Sequence, residues 1–151
     1  MIRVWRLVHK AFVALDGEGI GCSGGGWNPA GRPVVYTSVH LSLALLETLM
    51  RVRTRARLRD YVCLEIEVSD EGAASLERVE RLLKNERESQ AIGDSWLRRR
   101  HSLLMSVPSA IVPGERNVLI NPWHKLAYAA RVVSREKFAV DRRLLVPDGK
   151  R

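Results

Sequence analysis

Cysteine is scarce in this chain, and the two cysteines, Cys22 and Cys63, lie far apart. Without a CxxC pair or a nearby pair of histidines, the sequence indicates neither a zinc site nor a disulfide framework. No apolar run approaches the roughly 20 residues that a membrane-spanning helix requires. The first residues also lack the charged and then apolar layout of a signal peptide. We therefore expect a cytoplasmic protein that has no contact with a membrane and binds no metal.

Acidic side chains are in the minority. The chain has 17 Asp and Glu residues and 25 Lys and Arg residues, which gives a net charge of +8. This surplus suits nucleic acid, an acidic protein or a phosphate-bearing small molecule, and charge alone does not choose among them. Part of it forms an alternating arginine series at residues 51–59. That series contains no aromatic side chains for base stacking, and such a series is more often a solvated face than a binding site.

The apolar pattern predicts one domain over residues 1–151, of the α+β class. Period-two and β-branched segments predict strands at residues 2–8, 33–37, 60–69, 109–112, 117–120 and 138–145. Segments with a helical repeat predict amphipathic helices at residues 39–51, 73–84 and 94–105, with Ser38 as the cap of the first. Strands and helices alternate too irregularly for a doubly wound parallel sheet. We expect a mixed, mostly antiparallel sheet core with flanking helices.

A carboxylate interrupts the apolar stripe of the helix predicted at residues 39–51. Glu47 shares a face with Leu43, four residues before it, and with Met50, three residues after it. A charge there must reach solvent, be paired or take part in chemistry. On this pattern alone, a glutamate at the exposed edge of the stripe is the commoner explanation, and a functional role is the alternative.

Other polar and aromatic residues stand at the ends of predicted strands or in a loop at residues 17–31 that holds most of the 11 glycines. The loop contains Trp27-Asn28-Pro29, an unusual choice for a merely flexible segment, but it has neither a P-loop lysine nor GxGxxG spacing. Tyr36 ends the strand before the Glu47 helix. Two later predicted strands have a small polar residue at one end, Ser109 and Asn117, where an apolar residue would be expected.

Taken together, these motifs resemble a RES domain, a family named for its Arg, Glu and Ser. The likeness runs from the first strand to Leu144. In chain order, its motifs are Arg6, Gly24-Gly25-x-Trp27-Asn28-Pro29-x-Gly31, Val34-Val35-Tyr36, Leu43-Ala44-Leu45-Leu46-Glu47, Pro108-Ser109, Asn117 and Asn121-Pro122.

The resemblance implies a fold similar to ADP-ribosyltransferase toxins and an activity on NAD. The expected reaction cleaves the nicotinamide-ribose bond, by hydrolysis or phosphorolysis or by transfer of ADP-ribose to a protein acceptor. The family's toxins are silenced by a helix-turn-helix antitoxin of the Xre type, which covers the active site and provides the only link to DNA. We expect the arginines at residues 51–59 to form part of the antitoxin docking rim.

The resemblance also assigns roles. Glu47 would stabilise the positive ribose as nicotinamide leaves, Tyr36 would stack on or orient the nicotinamide, and Arg6 would anchor ribose or phosphate. The glycine-rich loop with Trp27 would act as a lid. The residues expected to contact the rest of NAD are Trp27, Asn28, Arg32, Ser109, Asn117 and Asn121.

The chain departs from the family at Gly26, where its members usually carry an arginine. Such an arginine would hold phosphate by bidentate hydrogen bonds that glycine cannot supply. Arg32 is a candidate replacement, and activity is expected to be attenuated.

Two other classes remain open. A basic nucleic-acid-binding protein or ribonuclease is consistent with the net charge, but the histidines are scattered and not paired in a catalytic spacing. An interaction protein with impaired catalysis is consistent with the glycine at position 26.

Overall fold

The computed structural model describes residues 1–18, 24–52 and 54–147, and within them seven strands form one sheet in the order β4-β5-β6-β2-β1-β3-β7. The strands are β1 (Ile2–His9), β2 (Val35–Ser38), β3 (Tyr61–Val68), β4 (Glu77–Arg78), β5 (Leu104–Pro108), β6 (Arg116–Ile120) and β7 (Ala130–Lys137). The helices are α1 (Leu41–Arg51), α2 (Arg55–Leu58), α3 (Asp70–Ala73) and α4 (Glu86–Arg99). Every strand pair is antiparallel except β4 with β5, which confirms the predicted mixed α+β class.

Strand β3 shows why the sheet forms where the alternation predicts it. Its even-numbered residues, from Val62 to Val68, are buried in the main core, and its odd-numbered residues are half-exposed. Antiparallel partners cover both edges, β1 on one side and β7 on the other. None of the helices within the described ranges is long and apolar enough to cross a bilayer.

The prediction of a helix at residues 73–84 is wrong. The chain makes only the short helix α3, capped by Ser69, whose hydroxyl accepts from the Gly72 amide at 3.3 Å. It then extends so that Glu77 pairs in parallel with Met105 of β5. Pairing with the edge of the sheet satisfies backbone N–H and C=O groups. The apolar periodicity of the sequence does not reveal such pairing.

The elements predicted at residues 94–105 and 109–112 are displaced. α4 begins at Glu86, where the Asn85 side chain accepts from the Glu88 amide at 2.9 Å. It ends at Arg99, because Arg100 adopts a left-handed conformation with φ of 55°. The next strand, β5, begins at Leu104 and ends at Pro108, so it lies before the residues 109–112 at which a strand was predicted.

The last strand lies at Ala130–Lys137 and not at the predicted residues 138–145, which contain a 3-10 turn, Arg142–Leu144. Most of β7 is exposed, and arginine, lysine and glutamate occupy many of its positions. A strand that buries so little side chain lacks the apolar alternation by which strands are recognised.

The sheet opens between β1 and β2. Among the described residues, the register joins these strands only at Trp5 and Ser38, whereas β1 pairs with β3 along all 8 of its residues. Helix α1 follows β2 directly and packs against both strands. The first strand, the second strand and the Glu47 helix therefore border one opening.

Helix α4 holds the glycine-rich segment at residues 24–32 against the fold. The Ser89 hydroxyl donates to the Gly26 carbonyl at 2.5 Å, and the Gln90 amide donates to the Gly25 carbonyl at 2.8 Å. These bonds tie the described part of the loop to α4, and its expected role as a lid stays a prediction. Residues 19–23, the rest of that loop, lie outside the described residues.

Gly93→Ala should lower the free energy of unfolding. A methyl group at position 93 would fall well inside contact distance of the Trp27 carbonyl oxygen, which is backbone and cannot rotate away. Alanine is favoured over glycine in a helix by about 1 kcal/mol, but overpacking costs roughly 1–3 kcal/mol. We expect the clash to prevail and urea unfolding to show a net loss of about 1–2 kcal/mol.

Gly26→Ala is the matched control, because no atom lies within 4 Å of the methyl group that it would add. This control should not lower the free energy of unfolding. A Gly93→Ala protein as stable as the parent would contradict the close packing of α4 on the loop.

Candidate active site

A cavity of about 610 Å³ lies at the opening between β1 and β2. Its walls come from these strands, from α1, from the loop before β2 and from the start of α4. This volume is typical of small-molecule sites, which span roughly 300–1,000 Å³. The predicted site residues that line it are Arg6, Trp27, Tyr36, Glu47 and Asn117.

The carboxylate of Glu47 is held from two other strands. Ser109, directly after β5, donates its hydroxyl to Glu47 Oε1 at 2.9 Å, and Asn117 of β6 donates its amide to the same oxygen at 2.7 Å. None of the described residues donates a hydrogen bond to Oε2. Glu47 is therefore fixed in the cavity wall with one oxygen left for a ligand.

Ser109 and Asn117 were both expected to contact NAD, and both contact Glu47. The Ser109 oxygen also accepts from the backbone amides of Ile111 at 3.2 Å and Val112 at 3.1 Å. This hydroxyl therefore has three partners within the protein, and Ser109 is placed as a positioning residue for Glu47.

Ser38 is a site residue that the sequence reasoning missed. Its buried hydroxyl donates to Asn117 Oδ1 at 2.7 Å, which turns the amide nitrogen of Asn117 toward Glu47. The sequence predicted Ser38 as the cap of α1, but His40 occupies that position. The available signal was a serine at the end of a strand that leads into the Glu47 helix.

The hydroxyl of Tyr36 holds the glycine-rich segment. It donates to Asn28 Oδ1 at 2.6 Å and accepts from the Trp27 amide at 2.9 Å. Burial raises the pKa of the Tyr36 phenol, so it stays protonated and can donate. Only the ring of Tyr36 is left for a ligand, while its oxygen is committed to the loop.

Arg6 is a buried cation with one unsatisfied nitrogen, and the charge of Asp16 partly offsets the effect of burial on it. Its side chain belongs to the buried face of β1, and within the described part of the chain its Nη1 atom has no hydrogen-bond partner. Burial, with a further contribution from the charge of Arg51, lowers the pKa of Arg6 to about 10. The guanidinium is thus still charged at neutral pH, and an anion in the cavity would satisfy it.

Besides Ser109, three further predicted ligand residues are not among those that line the cavity. Asn28 is fully buried, and its amide donates to the Arg32 carbonyl at 2.7 Å. The Arg32 side chain forms an ion pair with Asp94 at 2.9 Å. Asn121 is also fully buried, and its amide donates to the Leu97 carbonyl at 3.1 Å, which ties α4 to the end of β6.

Within the described ranges, no three His, Cys, Asp or Glu side chains are grouped so that they could hold a metal ion. The chemistry that the cavity offers is that of a fixed carboxylate, aromatic rings and arginine.

Comparison with known proteins shows the family to which the chain belongs. Residues 3–141 match the model of the RES domain. The chain belongs to the RES-domain family. "Toxin Res" of Photorhabdus laumondii is 34% identical, over 94% of this chain and 96% of that protein. The "Prs ADP-ribosylating toxin" of a Sphingobium species is 33% identical, over 93% of this chain and 95% of that protein. The resemblance drawn from the motifs is confirmed.

The fold of this RES domain is also similar to a chain in the crystal structure of the M. tuberculosis MbcT-MbcA toxin-antitoxin complex. The TM-score is 0.68 at 17% sequence identity, and the match covers 91% of this chain and 84% of that chain. At this identity the likeness concerns the fold, and it agrees with the α+β class predicted from the sequence.

Gly26→Arg should tighten NAD binding. Gly26 lines the cavity, and the space beside it is open for at least 4 Å, so a side chain can be added without displacing the fold. A charge-assisted contact to phosphate contributes about 1.5–3 kcal/mol, which corresponds to a decrease in Kd of about tenfold or more. Titration calorimetry with NAD measures this change.

Gly26→Gln is the control, because it adds a long polar side chain without the charge and should tighten binding much less. An unchanged Kd in the arginine variant would show that the missing arginine is not what limits NAD binding here.

Proposed function

We propose that this RES domain is a toxin that cleaves NAD at the bond between nicotinamide and ribose. The observation that carries the proposal is the carboxylate of Glu47, oriented by Ser109 and Asn117 in the same cavity as the buried, unsatisfied Arg6. A carboxylate and a cation so placed suit a ligand that develops positive charge at one end and carries phosphate at the other. The names of the relatives, Toxin Res and ADP-ribosylating toxin, agree with this chemistry.

The reaction requires little acid catalysis. When the bond between ribose C1 and the nicotinamide nitrogen breaks, its electron pair passes to the ring nitrogen, and the cationic ring leaves as neutral nicotinamide. Positive charge then develops on the ribose, which becomes oxocarbenium-like. The fixed carboxylate of Glu47 provides negative charge beside that ring and accepts from a ribose hydroxyl.

The other cavity residues bind and orient. Arg6 contacts a phosphate or ribose oxygen, which satisfies the guanidinium that the protein leaves without a partner. The rings of Tyr36 and Trp27, both in the cavity wall, flank the nicotinamide. Asn28 and Ser109 act through Tyr36 and Glu47, respectively.

The ADP-ribosyl group then passes to an acceptor. Water gives ADP-ribose, phosphate gives its 1-phosphate, and a protein side chain gives a modified protein. The name of the Sphingobium relative favours transfer to a protein, since that relative is described as an ADP-ribosylating toxin. The products formed from NAD with phosphate, without phosphate and with cell extract distinguish the three acceptors.

An antitoxin is the proposed protein partner, of the Xre helix-turn-helix type, and both proteins act in the cytoplasm. The similar fold occurs in a toxin-antitoxin complex. The exposed arginines Arg57 and Arg59, which belong to the predicted docking series, suit an acidic face of such an inhibitor. Arg53, the second arginine of the predicted docking series, lies outside the described residues.

Glu47→Gln should abolish most NAD cleavage while the fold persists. The glutamine oxygen can still accept from Ser109 and Asn117, so the hydrogen bonds survive and only the charge is removed. Loss of one preorganised electrostatic group costs roughly 2.7–4 kcal/mol, or a hundred- to thousand-fold in rate. Nicotinamide release measured by chromatography, together with urea unfolding, gives both quantities.

Ser109→Ala is the companion variant, because it keeps the charge and removes one of the two bonds that orient Glu47. It should reduce the rate by less than Glu47→Gln does. Full NAD cleavage by the Glu47→Gln protein would contradict the proposed function.

Replacing Arg57 and Arg59 together with Ser should slow association with the cognate antitoxin and flatten its salt dependence, because rim charges act mainly on the association rate. Stopped-flow mixing at low and high salt measures this. An unchanged association rate at low salt would show that these arginines are only a solvated face.

A further inference from the structure

Arg51 lies one helical turn beyond Glu47 on α1, and both side chains line the cavity. Residues four apart on a helix share a face and are separated by about one turn, or 5.4 Å along the axis. Helix α1 therefore presents a carboxylate and then a cation to the same space. The sequence placed Arg51 in the antitoxin docking rim, and the structure places it among the residues that line the cavity.

In the part of the chain that the structure describes, Arg51 takes part in no ion pair. Three carboxylates, those of Glu18, Glu47 and Glu86, line the same cavity. The carboxylate one turn before it, Glu47, is engaged by Ser109 and Asn117. In contrast, Arg32, the arginine expected to replace the one missing at position 26, is paired with Asp94.

Two arginines thus line one cavity, and neither takes part in an ion pair among the described residues. Arg6 is buried with an unsatisfied nitrogen, and the charge of Arg51 adds to the effect of burial in lowering the pKa of Arg6. This coupling means that the two guanidiniums lie close enough to repel each other. An anion between them would relieve the repulsion and satisfy the buried nitrogen.

We propose that Arg51, together with Arg6, binds the diphosphate of the dinucleotide and does the work of the arginine absent at Gly26. The proposal rests on the proposed function and adds an orientation to it. Glu47 contacts the nicotinamide ribose, and the diphosphate extends toward the C-terminal end of α1. Arg51 is then a binding residue of this chain that the RES motifs do not mark.

The alternative is that Arg51 only stabilises α1, since a cation at the last turn interacts favourably with the helix dipole. ADP separates the two explanations, because it carries a diphosphate and has no nicotinamide bond to cleave. Arg51→Gln should raise the Kd for ADP about tenfold, as expected for a lost charge-assisted hydrogen bond. Arg51→Lys should raise it less, and Arg135→Gln, on the exposed face of β7, should leave it unchanged.

Two further readouts distinguish binding from a structural role. Arg51→Gln should raise the KM for NAD with little change in kcat, and it should leave the affinity for nicotinamide riboside, which has no phosphate, unchanged. Arg51→Met, which keeps much of the aliphatic stem, repeats the test if the glutamine variant folds poorly. An ADP affinity that is insensitive to Arg51→Gln and Arg51→Met would overturn the proposal, as would a parent protein that does not bind ADP.

The two proposals fail separately. A parent protein that binds ADP through Arg51 but releases no nicotinamide from NAD would support the anion site and contradict the proposed function. NAD cleavage that depends on Glu47 but not on Arg51 would support the function and overturn the inference.

Discussion

The hydrogen bonds that Ser109 and Asn117 donate to one oxygen of Glu47 are the contacts on which the candidate site depends. A carboxylate on an otherwise apolar helix face is destabilising unless polar groups donate hydrogen bonds to it. Here those groups come from β5 and β6, and Ser38 on β2 fixes the donor amide in turn. The helix, three strands and the connecting turn must all be in place before Glu47 has a defined orientation.

The same geometry explains where the cavity forms. Strands β1 and β2 share one registered pair, Trp5 with Ser38, and they diverge beyond it. Backbone and side chains of both strands then face an opening that α1 borders. Arg6 lies on β1 and Glu47 on α1, so opposite charges stand on different walls of one cavity. This arrangement suits a ligand with a positive ring and a negative diphosphate.

The glycine-rich segment contributes shape more than charge. The backbone at Trp27 is pressed against Gly93, and Ser89 and Tyr36 hold the neighbouring backbone groups. Because Gly26 supplies no cation, the positive charge of the cavity comes from Arg6 and Arg51. On the proposed function, anion binding therefore falls to strand β1 and helix α1.

The sequence by itself determined the strands with one buried face, such as β3, the helix that carries Glu47 and the motifs of the RES family. These features are local or recur in fixed order, so they can be read along the chain. Only the tertiary structure decided that Ser109 and Asn117 serve Glu47, that Arg32 and Asn121 lie outside the cavity wall and that Arg51 lies within it. Each of those outcomes depends on which distant residues meet across the sheet. The tertiary structure also decided that the edge strands β4 and β7 form. Their stability comes from backbone pairing with a neighbouring strand and not from an apolar pattern.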